Sequence, residues 1–462
     1  MIKIKSKTRV ILGIFLILYS LIQSYRGLTL WFDVEASVIK AGLNKSGISH
    51  MTEHDLSGAD ALSTADPMTL IDGIMPPSAS DTYSQMYSLA SDNRKKSDAF
   101  FAADEDIEAW LANVPDLDAR TRAICDRLPQ LLASFPVAAP ERPDKKCYAG
   151  AISIFEPVKD SARFCALLAW RAAQHGNQQQ ALLLACAPAA IGALFEIRET
   201  QTGALSGLGF ETGETKGKLT GSLLRELAPM LKCSREDVLQ LLNWVETLEN
   251  AFLPPARMVA NEINYWPEFA RRWQQAIVSG EAMKAVGRNP HALVGLFKDQ
   301  AVIDSYLVPV MSSYRQVCAE PYPQAVKRLA EVHELAYPLK QFKASISLNY
   351  IKFFFLPETS FLQRLLGMMP DLEKNYIYWI TTKAKLRGGA LAVALHAYYN
   401  ENGSWPADMA AVAAWLGVPS LPQDPFTAAA WNYNASGPSL LSPGPDLQTG
   451  TPDDLQFLKV SH

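Results

Sequence analysis

The sequence predicts a mainly α protein with an N-terminal transmembrane helix, an irregular α-helical bundle and a small α+β module at the C-terminal end. Three observations carry this. Lys3, Lys5, Lys7 and Arg9 stand before an uncharged stretch from Val10 to Tyr25. Apolar residues then recur at helical spacing through much of the chain. The last ninety or so residues change texture: a long apolar helix, an Asn402-Gly403 stop, Asp424-Pro425, and a loop dense in aspartate. The expected divisions are 1–32 (basic flank and anchor), 33–100 (polar tether), 101–370 (helical domain) and 371–462 (α+β module).

The uncharged stretch of 16 residues would span about 24 Å as a helix, slightly short of a hydrocarbon core of about 30 Å. Arg26 can snorkel, and Leu28, Leu30, Trp31 and Phe32 extend the apolar region into the far interface. A cleaved signal peptide would want small residues soon after the apolar core, but Gln23-Ser24-Tyr25-Arg26 follows it. Four cations before the span and one after it place the amino end in the cytoplasm. The expectation is a single-pass protein of the cell inner membrane whose bulk lies in the periplasm.

Asp33 to about Lys96 has no long apolar run and is broken at Pro76-Pro77, as a tether would be. His50 and His54 have a metal-gripping spacing if helical, but no third ligand accompanies them. Helices are expected at 105–113 and 117–135, the second kinked or ended by Pro129. From Val158 to about Glu199 the pattern is a helical hairpin. Ala162, Cys165, Ala166, Leu168, Ala169 and Ala172 form one apolar face, His175-Gly176-Asn177 turns, and Ala181, Leu182, Leu184 and Ala185 resume it. The hairpin resembles one tetratricopeptide-like unit, without the repeat period of a solenoid. Cys165 and Cys186 fall at similar heights on its two arms, either bridged or as buried thiols.

The Gly/Thr-rich stretch from Thr200 to Gly221 reads as a loop. Its Gly213-Glu214-Thr215-Lys216-Gly217-Lys218-Leu219 has the wrong spacing for a phosphate loop, and Leu219 stands where a Ser or Thr would bind magnesium. Ser234 caps a helix to about Phe252, with Val238, Leu241, Val245 and Leu248 on one face. Glu246 and Glu249 read as its solvated side. Further helices are expected over 257–279, 292–310, 323–336 and 361–368, and 346–356 is a strand or a buried helix end.

A net charge of −4 gives no basic stripe for nucleic acid, so none is expected as a partner. The 6 cysteines form no C-x-x-C pair, which excludes zinc-ribbon and thioredoxin-type chemistry. No G-x-S-x-G elbow, no H-E-x-x-H pair and no S-x-x-K with its usual companions is present. His175, His291 and His333 read as structural. The expectation is a noncatalytic scaffold or interaction protein with no catalytic residue. The alternative is an extracytoplasmic hydrolase with a site assembled by folding in the helical body, for instance His291 or His333 beside a carboxylate.

In the tail, a helix from Asp371 to Asn400 is expected, with Gly388-Gly389 as a weak point that can bend it. Asp408 to Leu416 follows as a short helix, Leu421 to Phe426 as a turn, and Trp431–Tyr433 and Ser439–Ser442 as short strands. The loop from Gly444 to Asp454 is rich in hard oxygen donors, and Asp446, Asp453 and Asp454 are the candidate metal ligands, with calcium as the candidate cofactor.

The segment from Lys383 to Phe457 resembles the C-terminal region of type II secretion pseudopilins. It has an Ala-rich helix ending Tyr398-x-x-x-x-Gly403-x-x-Pro406, then Leu421-Pro-x-Asp424-Pro425, then Ser442-x-Gly444-x-Asp446 and the pair Asp453-Asp454. The resemblance implies calcium in the last loop, held by Asp446 and by one or both of Asp453 and Asp454, and partners in a secretion or pilus-like system. A pseudopilin leader would place its Gly before the apolar helix, whereas Gly27-Leu28-Thr29-Leu30 comes after it. The whole chain is more similar to large bacterial membrane-anchored helical proteins that carry such a tail, a resemblance that brings architecture without an activity.

Overall fold

The computed structural model describes residues 111–112, 114, 116–133, 152–201, 207–255, 313–329 and 372–459. All of these belong to one compact unit made of Glu53–Glu262, Met311–Val332 and Pro370–His462. The anchor, the tether with His50 and His54, and the expected elements at 257–279, 292–310, 346–356 and 361–368 lie outside the described residues, as do His291 and His333.

The described part is mainly helical with a small antiparallel sheet. The helices are α1 (Leu117–Ala133), α2 (Ile152–Gln174), α3 (Gln178–Gln201), α4 (Gly207–Leu227), α5 (Arg235–Ala251), α6 (Leu372–Asn402) and α7 (Met409–Leu416). A 3-10 turn, Ala228–Met230, joins α4 to α5. Two shorter helical segments cover 313–317 and 322–329. Pro129 lies inside α1 without ending it.

The expected hairpin is α2 and α3, turned at Gly176, whose φ of +73° favours a residue without a Cβ. Cys165 and Cys186 sit on its two arms as buried free thiols. The Gln178–Glu196 stretch of α3 is apolar all round, with a mean hydropathy of 1.3, and 83% of it is buried inside the helical body. Such a helix has no solvent face to keep polar. Pro188 removes one of its backbone donors, and the next N–H, of Ala189, donates instead to Thr220 Oγ1 at 3.0 Å.

The expected loop between Thr200 and Gly221 is instead mostly helix: α3 runs to Gln201 and α4 begins at Gly207. Glycine lowers helix propensity by about 1 kcal/mol per residue, which is why the composition reads as a loop. Here close packing outweighs propensity. Gly213, Gly217 and Gly221 are spaced four apart on one side of α4, the arrangement that lets helix backbones approach. A Cβ on Gly213 would collide with Glu196 of α3, one on Gly217 with Thr382 of α6, and one on Gly221 with the Lys385 carbonyl of α6. A Cβ on Gly192 would come within 2.6 Å of the Gly213 carbonyl oxygen. α4 is thus wedged between α3 and α6 along a ridge of bare backbone.

The long helix α6 serves both parts of this unit. It packs along α4 and α5 and also carries the small sheet. Gly388 and Gly389, expected to bend it, are instead points of close approach: a Cβ on Gly388 would lie within 2.6 Å of the Phe457 ring, and one on Gly389 would meet Gly221. The helix stops at Gly403, whose φ is +70° and whose N–H donates to the Tyr399 carbonyl at 2.8 Å. Asp408 caps α7 by accepting from the Ala411 N–H at 2.8 Å, and Gly417, with φ +73°, ends it.

Strands β1 (Asn432–Asn434), β2 (Ser439–Ser442) and β3 (Leu455–Lys459) form an antiparallel sheet in that order. Leu440 pairs with Tyr433 on one side and with Leu458 on the other, and a bulge follows at Leu441. β3 is not evident from the sequence, being a five-residue strand directly after the acidic loop. Its Phe457 packs edge-on against Trp431 at 5.4 Å and lies against Gly388 of α6, which fastens the sheet to that helix.

Candidate functional site

The three aspartates expected to hold a metal lie in the β2–β3 connection, and each carboxylate is engaged with the loop's own backbone. The Asp446 N–H donates to Asp453 Oδ2 at 3.0 Å, the Gln448 N–H to Asp446 Oδ1 at 2.8 Å, and the Gly450 N–H to Asp454 Oδ2 at 2.7 Å. Thr451 Oγ1 donates to Asp453 Oδ1 at 2.7 Å. The Thr451 hydroxyl and the Asp446 N–H hold the Asp453 carboxyl below its ordinary range.

Backbone geometry explains the glycines. Gly444 has φ +67°, and a Cβ there would run into the Asp453 carbonyl. Gly450 has φ +90°, and Leu447, at φ +59°, holds a left-handed conformation that a branched aliphatic residue rarely adopts.

The donor set suits a hard cation in kind, with three carboxylates and main-chain carbonyls in a short loop. Its arrangement spends those oxygens on amides, and among the described residues no three His, Cys, Asp or Glu side chains are grouped to hold a metal ion.

Two buried supports flank the loop. Below β2, Asp424 is 1% exposed and accepts from the Phe426 N–H and from Ser442 Oγ, both at 3.0 Å. Burial raises its pKa, opposed by those two bonds and by the Arg387 guanidinium. Sequence reasoning gave Asp424 only a turn role, yet it ties the turn to the start of the acidic loop. On the loop's other flank, Tyr322 Oη donates to the Pro445 carbonyl at 2.8 Å. Ser442, at the end of β2, is therefore turned inward.

A second correction concerns Glu249. It is not on a solvated face but 6% exposed, and Arg387 of α6 grips it with Nε at 2.9 Å and Nη2 at 2.8 Å. Arg387 Nη1 donates to the Gln423 carbonyl at 2.8 Å, so one guanidinium joins α5, α6 and the Asp424 turn. Burial pushes the Glu249 carboxyl up, and Arg387 is the main force opposing it. The spacing held a signal: Glu249 lies four residues beyond Val245, on the edge of the apolar face of α5.

At the far end of α6, His396 meets Trp405 edge to face at 5.2 Å, and Trp405 stacks on Tyr399 at 4.7 Å. The Tyr433 hydroxyl of β1 donates to the Pro406 carbonyl at 3.0 Å, closing this corner. Burial lowers the His396 pKa from 6.5 to about 4. Between those two values the unfolded chain binds the proton and the folded one does not, so stability present above pH 6.5 is lost as the pH falls toward about 4. Because the ring is partly exposed, the expected loss is about 2 kcal/mol. The loss should be nearly absent in His396→Phe, as denaturant melts at pH 7 and pH 4.5 would show. Equal acid sensitivity in the two proteins would rule out His396 as the source.

An open groove of about 390 Å³ beside α1 is lined by Asp116, Asp118, Arg122 and Arg171, with no His, Ser or Cys among its described residues. His175 lies in the hairpin turn and is exposed. Comparison with protein-family models, with curated proteins and with solved structures finds no match to this chain.

Proposed function

We propose that this protein is a noncatalytic scaffold or interaction protein of the cell envelope, associated with a type II secretion or pilus-like system. In this reading, residues 10–25 anchor it in the inner membrane with the amino end cytoplasmic and the bulk periplasmic. The tail supports the association: a long helix stopped at Gly403, a short helix, the Asp424-Pro425 turn, a small sheet and an acidic loop follow one another as in the pseudopilin tail it resembles. Calcium is the proposed ligand of the loop, with the Asp446, Asp453 and Asp454 carboxylates turning from the loop's amides to the ion.

Thermal unfolding of the full chain in detergent, with calcium and then with chelator, tests the ligand. Calcium at a hundredfold excess over its Kd should stabilise by about 2.7 kcal/mol, seen as a rise of several degrees in Tm. Asp453→Asn with Asp454→Asn should abolish that rise. An unchanged Tm in the native protein would remove calcium from the account. Affinity capture from membranes under the same two conditions then tests the association: recovery of secretion-system or pilus-like components supports it, and their absence under both conditions counts against it.

A further inference from the structure

The segment 313–329 reaches the acidic loop through the Tyr322 side chain. Tyr322 is 1% exposed, its ring packs edge-on against Phe426 at 5.0 Å and stacks on Tyr376 at 5.8 Å, and its hydroxyl donates to the Pro445 carbonyl at 2.8 Å. Pro445 stands between Gly444, whose backbone lies against Asp453, and Asp446, whose N–H binds the Asp453 carboxylate. A bond to that carbonyl therefore bears directly on the closure of the loop.

The segment is itself fastened to α6, where Tyr376 Oη donates to the Glu320 carbonyl at 2.7 Å, and within the segment Arg328 pairs with Glu320. Burial, followed by Glu373, Asp453 and Asp446, raises the Tyr322 pKa, so its hydroxyl stays a donor at any physiological pH.

We propose that Tyr322 is a positioning residue that couples the loop between β2 and β3 to the 313–329 segment, so that a change at the loop's aspartates is felt in that segment and the reverse. The Phe426 and Tyr376 contacts fix the ring, leaving the hydroxyl bond as the adjustable link. Coupling of this kind is reciprocal, because each side stabilises the other by the same factor.

Hydrogen exchange on the full chain in detergent tests it from both ends. Tyr322→Phe keeps the ring and removes one hydrogen bond, so exchange at the Asp446, Gln448 and Gly450 amides should speed up roughly three- to tenfold. The Val238 amide of α5 should not change, which serves as the control for intact folding. In the opposite direction, Asp453→Asn leaves every residue of 313–329 intact, yet exchange at the Cys318 and Ala325 amides should also quicken. A merely structural tyrosine would not produce this second effect. Unchanged loop amides in Tyr322→Phe, or unchanged Cys318 and Ala325 amides in Asp453→Asn, would overturn the coupling.

A third arm rests on the calcium reading: calcium should slow exchange at Ala325 in the native protein and less so in Tyr322→Phe. A calcium response confined to the loop would also overturn the coupling, whereas no calcium response anywhere counts against the calcium reading alone.

Discussion

Replacing Arg387 with alanine should destabilise the protein by about 3–5 kcal/mol, because it strands a buried carboxylate. Glu249 has its side chain only 6% exposed and takes three bonds from that one guanidinium. The same change frees the Gln423 carbonyl and removes a charge that opposes the raised pKa of Asp424. A double replacement, Arg387→Met with Glu249→Leu, should recover most of the loss, since apolar groups of similar volume commonly replace a buried pair at little cost. Denaturant unfolding of the native protein and the variants measures both effects. A loss below about 1 kcal/mol for Arg387→Ala, the range of exposed pairs, would mean that the pair is solvated after all.

The glycine ridge of α4 should also resist substitution. Gly221→Ala places a methyl group against the Lys385 main chain of α6, and backbone cannot move aside as a side-chain tip can. Overpacking of this kind costs about 1–3 kcal/mol, and alanine's better helix propensity returns about 1 kcal/mol at most. Gly221→Leu should therefore do far more harm, separating α4 from α6 and preventing cooperative folding. Gly437→Ala is the matched control, because nothing lies within 4 Å of the added methyl group. A Tm for Gly221→Ala above that of the native protein would show that the two backbones are not in contact.

How much of this was legible in the sequence depended on whether the signal was local. The Ser234 cap is local: its hydroxyl and the Asp237 carboxylate exchange bonds with each other's N–H groups at 3.2 and 2.9 Å, and the reading from Ser234 to Phe252 matches α5 closely. The turn at Gly176, the stop at Gly403 and the cap at Asp408 are legible for the same reason. The acidic loop was found by composition, although composition cannot say that its carboxylates bind the loop's own amides.

The misreadings share one cause, which is that tertiary contact decided them. Gly213, Gly217 and Gly221 resemble a loop until α3 and α6 are placed against them. Glu249 resembles a solvent-facing residue until Arg387, 138 positions away, is brought to it. Gly388 and Gly389 look like a hinge until Phe457 and Gly221 fill the space beside them. Tyr322 lay in no motif, and only the fold sets its hydroxyl against Pro445.

In the proposed topology the bulk of the chain lies beyond the inner membrane, held by the segment 10–25. Paired fusions after His462 test it most directly, one to alkaline phosphatase, which is active only outside the cytoplasm, and one to green fluorescent protein exported by the general secretory route, which fluoresces only inside. The account predicts an active phosphatase and a dark fluorescent protein, both remaining with the membrane through alkaline extraction. A fluorescent fusion with an inactive phosphatase would contradict it.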